Sequence, residues 1–418
     1  MSSSSQDQIT LGWELELIVH LEPGEPSGLA LEARKLRDLA LTIAAQAPGL
    51  PIAAHCIHNP TASCCICDDA PAEHRLPHVR VVTPATPIRR PDGPIEDLYY
   101  FVKREWLNVP TDDAGDRVAH GFEITSPILS HAELRAGLPQ TRQVLSAIRN
   151  SNLTISAHTE CGLHFHVGVK SGMTLNIAKK AATLVMLLEL PLLKRFASPE
   201  RTERRYWFIP ITTKSSFISY ADRLYDEVTD ANASHELRQH MPDLSKQNPA
   251  EWNNNDPNSL HLAVNEIWLT DSMWKLSMGL HSYEGQKASL VLCTRERNGQ
   301  SASEPPRGMP DNLEGTPSTL EFRYPPMSFD IDFVKCWAEI GCRIVEIATR
   351  DTAAFRQVAT DLLKELQTND ASLWERLLKV LGLDHQIGFW RLQLDRFEED
   401  EEPIRFLDED GFLLPEGQ

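Results

Sequence analysis

The 418-residue chain is short of several things that mark large functional classes. It has no Lys/Arg-rich block, and 59 acidic residues outweigh 41 basic ones to leave a formal net charge of −18. A field of that sign repels nucleic acid and anionic membranes, so neither is expected as a partner. Long apolar runs are missing too. The longest, residues 184–193, is too short to span a bilayer and contains Glu189. Residues 1–10 are Ser-rich and polar, without a basic start and an apolar core, so the expectation is a soluble, cytoplasmic protein without a secretory signal. There is no glycine-rich Walker loop and no dinucleotide fingerprint, which excludes the P-loop and Rossmann ways of holding a nucleotide. Eight cysteines are too few for a disulfide scaffold at this length.

Four of those cysteines, Cys56, Cys64, Cys65 and Cys67, cluster beside His55 and His58. Cys64 and Cys67 have the spacing of a zinc-ligand pair, but no second pair of matching spacing accompanies them. A thiol-rich surface insertion is therefore the preferred explanation over a zinc or redox cluster. It falls inside a Pro-, Cys- and His-rich stretch, residues 47–94, with only a short strand-like run at 78–83.

Alternation of apolar and polar residues predicts strands at 11–20, 117–126, 162–169 and 319–324, with strand-like runs at 260–269 and 288–294. Apolar residues on a 3.6-residue period predict helices at 29–46, 132–150 (with Pro139 as a kink), 176–196, 331–350, 352–366 and 373–381. Residues 96–108 are amphipathic, 215–259 carry no clear pattern, and an acidic tail follows Leu394. Strands separated by unlike insertions point to an α+β protein rather than a regular βαβ series. The expected organisation is a catalytic domain over 1–394, with the insertion near 47–94, and a solvated acidic tail over 395–418.

Four strands place charged or metal-binding side chains at alternate positions, hence on one face. Glu14 and Glu16 share a face while Trp13, Leu15 and Leu17 point away; Glu123 stands between apolar neighbours; His164 and His166 share a face; so do Glu321 and Arg323. Any one such pair is most simply a wetted strand face. Collected on one sheet, so many carboxylates would repel one another unless cations lay among them. Hard oxygen donors with an imidazole suit Mg²⁺, with Mn²⁺ as an alternative. An Arg among carboxylates is best explained by an arriving anion, since guanidinium grips phosphate with two prongs. The residues alone thus predict a multi-metal phosphate site on a β-sheet.

In this order, these segments resemble the amidoligase family, relatives of the glutamate–cysteine ligases and glutamine synthetases. The matching pieces are Gly-Trp-Glu-Leu-Glu-Leu at 12–17; Trp106 and Asp112 leading into Gly-Phe-Glu-Ile-Thr-Ser-Pro-Ile-Leu at 121–129; Cys-Gly-Leu-His-Phe-His-Val-Gly at 161–168; and Thr-Leu-Glu-Phe-Arg at 319–323. The resemblance implies a curved antiparallel sheet of the glutamine synthetase type, with helices on its convex side and ATP and Mg²⁺ on its concave face. It implies an ATP-dependent ligase that joins a carboxylic acid (small molecule or peptide) to an amine through an acyl phosphate. Carried over, Glu14, Glu16, Glu123, His164 and Glu321 correspond to the metal ligands, Arg323 to the arginine on the transferring phosphate, and His166 to a further metal or substrate contact. Arg201, Arg204, Arg205, Lys214 and Lys287 are candidate phosphate grips outside the matching motifs, and either a monomer or an oligomer is compatible with such relatives. The rival readings are a metal-dependent hydrolase using His164, His166 and Glu14, a non-catalytic nucleotide-binding protein of the same fold, and an interaction protein using the acidic tail and the Cys-rich loop.

Overall fold

The computed structural model describes residues 8–22, 29–55, 75–76, 79–81, 97–111, 118–158, 160–203, 208–219, 235–244, 257–299, 301–302, 313–368, 370–398, 406–408 and 411–415. The cluster from Cys56 to Cys67, Asp112, Arg204, Arg205, most of 215–259 and the acidic run 399–402 lie outside them. The chain forms two compact units. The N-terminal unit comprises Gly12–His164, Pro326–Lys335 and Ile404–Gln418; the C-terminal unit comprises Met1–Leu11, Phe165–Pro325 and Cys336–Pro403. Both mix helices with strands that pair mostly antiparallel, and neither set of strands closes on itself. Among the described residues no helix is long and apolar enough to cross a membrane.

In the N-terminal unit the strands are β1 (Ile9–His20, from Gly12 onward), β2 (Ile52–His55), β3 (Arg75–Leu76), β4 (Val79–Val81), β5 (Tyr100–Arg104), β6 (Ala119–Thr125), β7 (Leu129–Ser130) and β8 (Ile155–Ser156). Their order is β1-β6-β5-β2-β4-β3, with β7 and β8 also paired to β1, and β2 runs parallel to β5. The amphipathic stretch at 96–108 thus contributes an inner strand. Helix α1 (Leu29–Gln46), at the bounds its periodicity predicts, packs on β2 and β5 through Leu36, Leu39 and Ile43, all buried. Trp13 fixes the height of β1: its backbone N–H donates to the Ser126 hydroxyl and its indole N–H to Thr141. Thr141 belongs to α2 (Pro139–Arg149).

The single kinked helix expected at 132–150 is instead two. A short helix, His131–Arg135, ends at Gly137 and Leu138, both at positive φ (84° and 55°), and Pro139 is the first residue of α2. Proline disfavours helical backbone in the residue before it and needs no donor at a helix start, so it divides rather than bends this segment. Residues 406–408 and 411–415 pack on the same unit: the Leu413 N–H donates to the Ile155 carbonyl, and Arg149 lies over the Phe406 ring.

The C-terminal unit holds β9 (Leu163–Val169, from Phe165 onward), α3 (Leu175–Leu188), α4 (Pro257–Leu269), α5 (Met273–Leu280), β10 (Leu290–Cys293) and β11 (Thr319–Phe322). It also holds most of α6 (Ile331–Thr349), with α7 (Thr352–Glu365), α8 (Leu373–Leu381) and α9 (Ile387–Glu398). The strand order is β10-β11-β9, antiparallel throughout. Residues 260–269 read as a strand-like run, but they lie in α4. Ala263, Val264, Ile267 and Trp268 are buried and Leu269 is exposed, which is a 3.6-residue pattern that a short apolar run conceals. The helix expected over 176–196 loosens after Leu188 into a π-helical turn, Glu189–Leu193, before a last turn at Lys194–Phe196. Pro191 sits in that turn, where its missing N–H interrupts the ladder. Helix α6 lies close on the sheet at Gly341, where a Cβ would meet Val167 and Phe322 at 3.3 and 3.4 Å. This covers one face of β9 and β11 and leaves the alternate positions, His166 and Glu321, for the other.

Candidate functional site

In the N-terminal unit β1 and β6 pair in register, so that Glu16 stands opposite Glu123 and Glu14 opposite Thr125. The Glu16 carboxylate is fixed by its neighbour strand: Oε2 accepts the Gly162 N–H at 2.6 Å, while the Glu16 N–H donates to the Gly162 carbonyl. Two residues on, His164 is buried with Nδ1 at 3.5 Å from Glu14 Oε2 and 3.9 Å from Glu16 Oε1. The imidazole thus lies near both carboxylates, and all three are residues that could contribute to holding a divalent cation. Carboxylates with one imidazole are the donor set that suits Mg²⁺ or Mn²⁺.

Glu123 is buried and ion-paired to Lys103 at 2.7 Å. Burial drives its carboxyl well above the usual range, and the charges of Glu14 and Glu16 push it the same way while Lys103 pulls it down. For Lys103 burial disfavours the charged form, but Glu123 and Glu14 outweigh it and hold the ammonium above its ordinary value. Lys103 thus offsets part of the charge of these carboxylates, which are groups that could hold a divalent cation.

In the C-terminal unit Glu321 is the centre of a second group. It is fully buried, stands opposite His166 on β9, and pairs with Arg323 through Oε1 and with Lys287 at 3.2 Å through Oε2. Cys293, on β10, donates its thiol to Glu321 Oε2 at 3.2 Å. His166 Nδ1 lies 3.3 Å from the Thr319 hydroxyl. Arg201, buried, donates to the Arg323 carbonyl and so steadies the strand end from behind. Tyr324, the next residue, donates its hydroxyl to Glu189 at 2.6 Å. Glu189 also accepts the Ile211 and Thr212 N–H groups and the Thr212 hydroxyl, so its two oxygens face four donors. Burial nevertheless raises its carboxyl above the ordinary range, against those hydrogen bonds.

Within each unit, residues named from sequence come together. Glu14, Glu16, Glu123 and His164 come together in the N-terminal unit; Glu321, Arg323, His166 and Lys287 come together in the C-terminal unit. Lys214 is exposed at the end of the short helix Ile211–Lys214, and Arg205 lies outside the described residues. Two members were not foreseen. Lys103 would have emerged had 100–104 been read as a strand, since that register sets it opposite Glu123. Cys293 ends an apolar run, where a cysteine passes as a small hydrophobe.

Residues 90–269 match the profile of the family described as "Putative amidoligase enzyme". This supports the amidoligase resemblance. The matched range contains Glu123, His164 and His166; Glu14, Glu16, Glu321 and Arg323 lie outside it, and for them the geometry above is the support. No curated protein and no solved structure matches the chain.

Proposed function

From the amidoligase match over residues 90–269 and the carboxylate–imidazole group on β1, β6 and β9, we propose that this chain is an ATP- and Mg²⁺-dependent ligase making an amide through an acyl phosphate. The observation that carries this reading is the convergence of Glu14, Glu16, Glu123 and His164, buried or half-buried, on adjacent strands of one unit. The alternation of functional side chains along antiparallel strands supports a sheet of the glutamine synthetase and glutamate–cysteine ligase type.

The chemistry follows from the poor leaving group of a carboxylate. A carboxylate oxygen attacks the γ-phosphorus of ATP, the bond to the β-phosphate oxygen breaks, and ADP leaves. The amine nitrogen then attacks the acyl carbon, the C–O bond to phosphate breaks, and the nitrogen loses its proton to solvent. When bound, Mg²⁺ shields the phosphate charges; Glu14, Glu16, Glu123 and His164 are the residues that would hold it, with Mn²⁺ as a substitute. Arg323, paired with Glu321 and backed by Arg201, would by the family resemblance stabilise the transferring phosphoryl group, and Lys287 would hold a neighbouring phosphate oxygen. Lys214 and Arg205 remain candidate phosphate contacts.

An acyl phosphate is tested directly by trapping. Incubating the protein with ATP, Mg²⁺, hydroxylamine and a panel of carboxylic acids should yield a hydroxamate and stoichiometric ADP for the true acid. ADP release without hydroxamate across all acids, or hydrolysis that proceeds equally without ATP, would overturn the mechanism, the second outcome favouring the hydrolase.

A further inference from the structure

We propose that the C-terminal unit carries a position for a soft divalent metal, of the Zn²⁺ class, formed by Cys293, His166 and Glu321. One sulfur, one nitrogen and one oxygen donor from these residues lie within 4.8 Å of one another. Tetrahedral Zn²⁺ with one thiolate holds its donors ~3.3–3.8 Å apart, so closing the set takes about 1 Å of side-chain adjustment. The donors sit on three adjacent strands. His166 on β9 is the direct cross-strand partner of Glu321 on β11, and Cys293 on β10 is opposite Thr319, hence diagonal to Glu321 on the same face. Such a frame is rigid, and a sulfur donor is what separates it from a magnesium site. Mg²⁺ selects oxygen, whereas thiolate with imidazole and carboxylate selects Zn²⁺ and its chemical relatives.

The surroundings suit the assignment. The contact of His166 Nδ1 with the Thr319 hydroxyl orients the ring, as an outer partner does for a metal-bound imidazole. The cation now occupying the place of a metal is Lys287, at 3.2 Å from Glu321 Oε2, and it is the replaceable one. Its side chain is 55% exposed, against 20% for Arg323 on the other oxygen. Binding exchanges one ion for another: the metal would be held by the Cys293 sulfur, a His166 ring nitrogen and a Glu321 oxygen, the thiol proton passes to solvent, and the Lys287 ammonium swings out to water. Arg323 stays on Oε1. The inference does not depend on the ligase reading, because it concerns metal affinity alone.

Co²⁺ is the probe, since thiolate ligation produces a near-ultraviolet charge-transfer band that carboxylates and imidazoles do not. The full chain with Cys56, Cys64, Cys65 and Cys67 changed to Ser provides the background and removes the thiol-rich stretch as a competing site. That protein should develop the band on Co²⁺ addition and lose it to Zn²⁺. Cys293→Ser in the same background should abolish the band while circular dichroism is unchanged. Lys287→Met should tighten Co²⁺ binding by about fivefold, the value of removing a half-exposed competing ion pair. No band in the background protein, a band that survives Cys293→Ser, or affinity that Lys287→Met fails to raise would each overturn the proposal.

Discussion

Glu16 satisfies two demands with two oxygens. Oε2 takes the Gly162 N–H and fixes the rotamer, and Oε1 is directed at His164. Its placement on one face with Glu14 was legible in the sequence because the two alternate with Trp13, Leu15 and Leu17, and strand geometry turns alternation into a shared face. Lys103 and Cys293 were not legible in the same way. Each matters only through a cross-strand neighbour, and registry with Glu123 or Glu321 is a tertiary fact. Arg323 was proposed as a phosphate ligand from its residue type, and its partners Glu321 and Arg201 come from the fold. Under the proposed mechanism Arg323→Ala costs ~2–4 kcal/mol of barrier, a fall of about 30- to 1000-fold in kcat for ADP release at saturating ATP. Arg323→Lys retains the charge without the two-pronged grip and should fall between this variant and wild type. Unchanged kcat in Arg323→Ala, with an unfolding midpoint near wild type, would remove Arg323 from the chemistry.

Elements with a full period of evidence, such as α1 and α8, lie at the bounds their periodicity indicates. The misread ones share a physical cause: a proline or a short apolar run whose effect depends on what lies around it. Pro139 starts a helix, Pro191 loosens one into a π-turn, and 260–269 coils because its buried positions recur every three to four residues. At the α7–α8 connection Arg376 binds Glu365, Asp370, Thr368 and Ser372. Hydrogen bonds from Arg376, then from Ser372, lower the Asp370 carboxyl to about 2. A carboxyl held below its ordinary value contributes stability that is complete above pH ~4 and is lost as pH falls toward 2. Thermal unfolding of Asp370→Asn should therefore differ from wild type at pH 5–7 and converge with it near pH 2. Because the group is solvent-exposed, the difference should be small; a gap that widens on acidification would contradict the linkage.

For the whole molecule, a net charge of −18 makes an anionic substrate depend on local cations and bound metal to overcome the general field. The α+β character followed from strands separated by unlike insertions and the antiparallel pairing from the family resemblance, whereas the division into two compact units left no mark in composition. A unit boundary that passes within β1, between Leu11 and Gly12, and within β9, between His164 and Phe165, cuts no linker that a sequence could reveal. The central claim, that the N-terminal unit's carboxylates serve a metal–nucleotide complex, is tested most directly by calorimetric titration of ATP, with and without Mg²⁺, into wild type and Glu16→Gln. The glutamine oxygen can keep the Gly162 hydrogen bond, so the fold is preserved while a metal-binding charge is lost. Binding that requires Mg²⁺ in the wild type and weakens at least about tenfold in Glu16→Gln is the predicted result. ATP that binds under no metal condition, or binds both proteins equally with and without Mg²⁺, would contradict it.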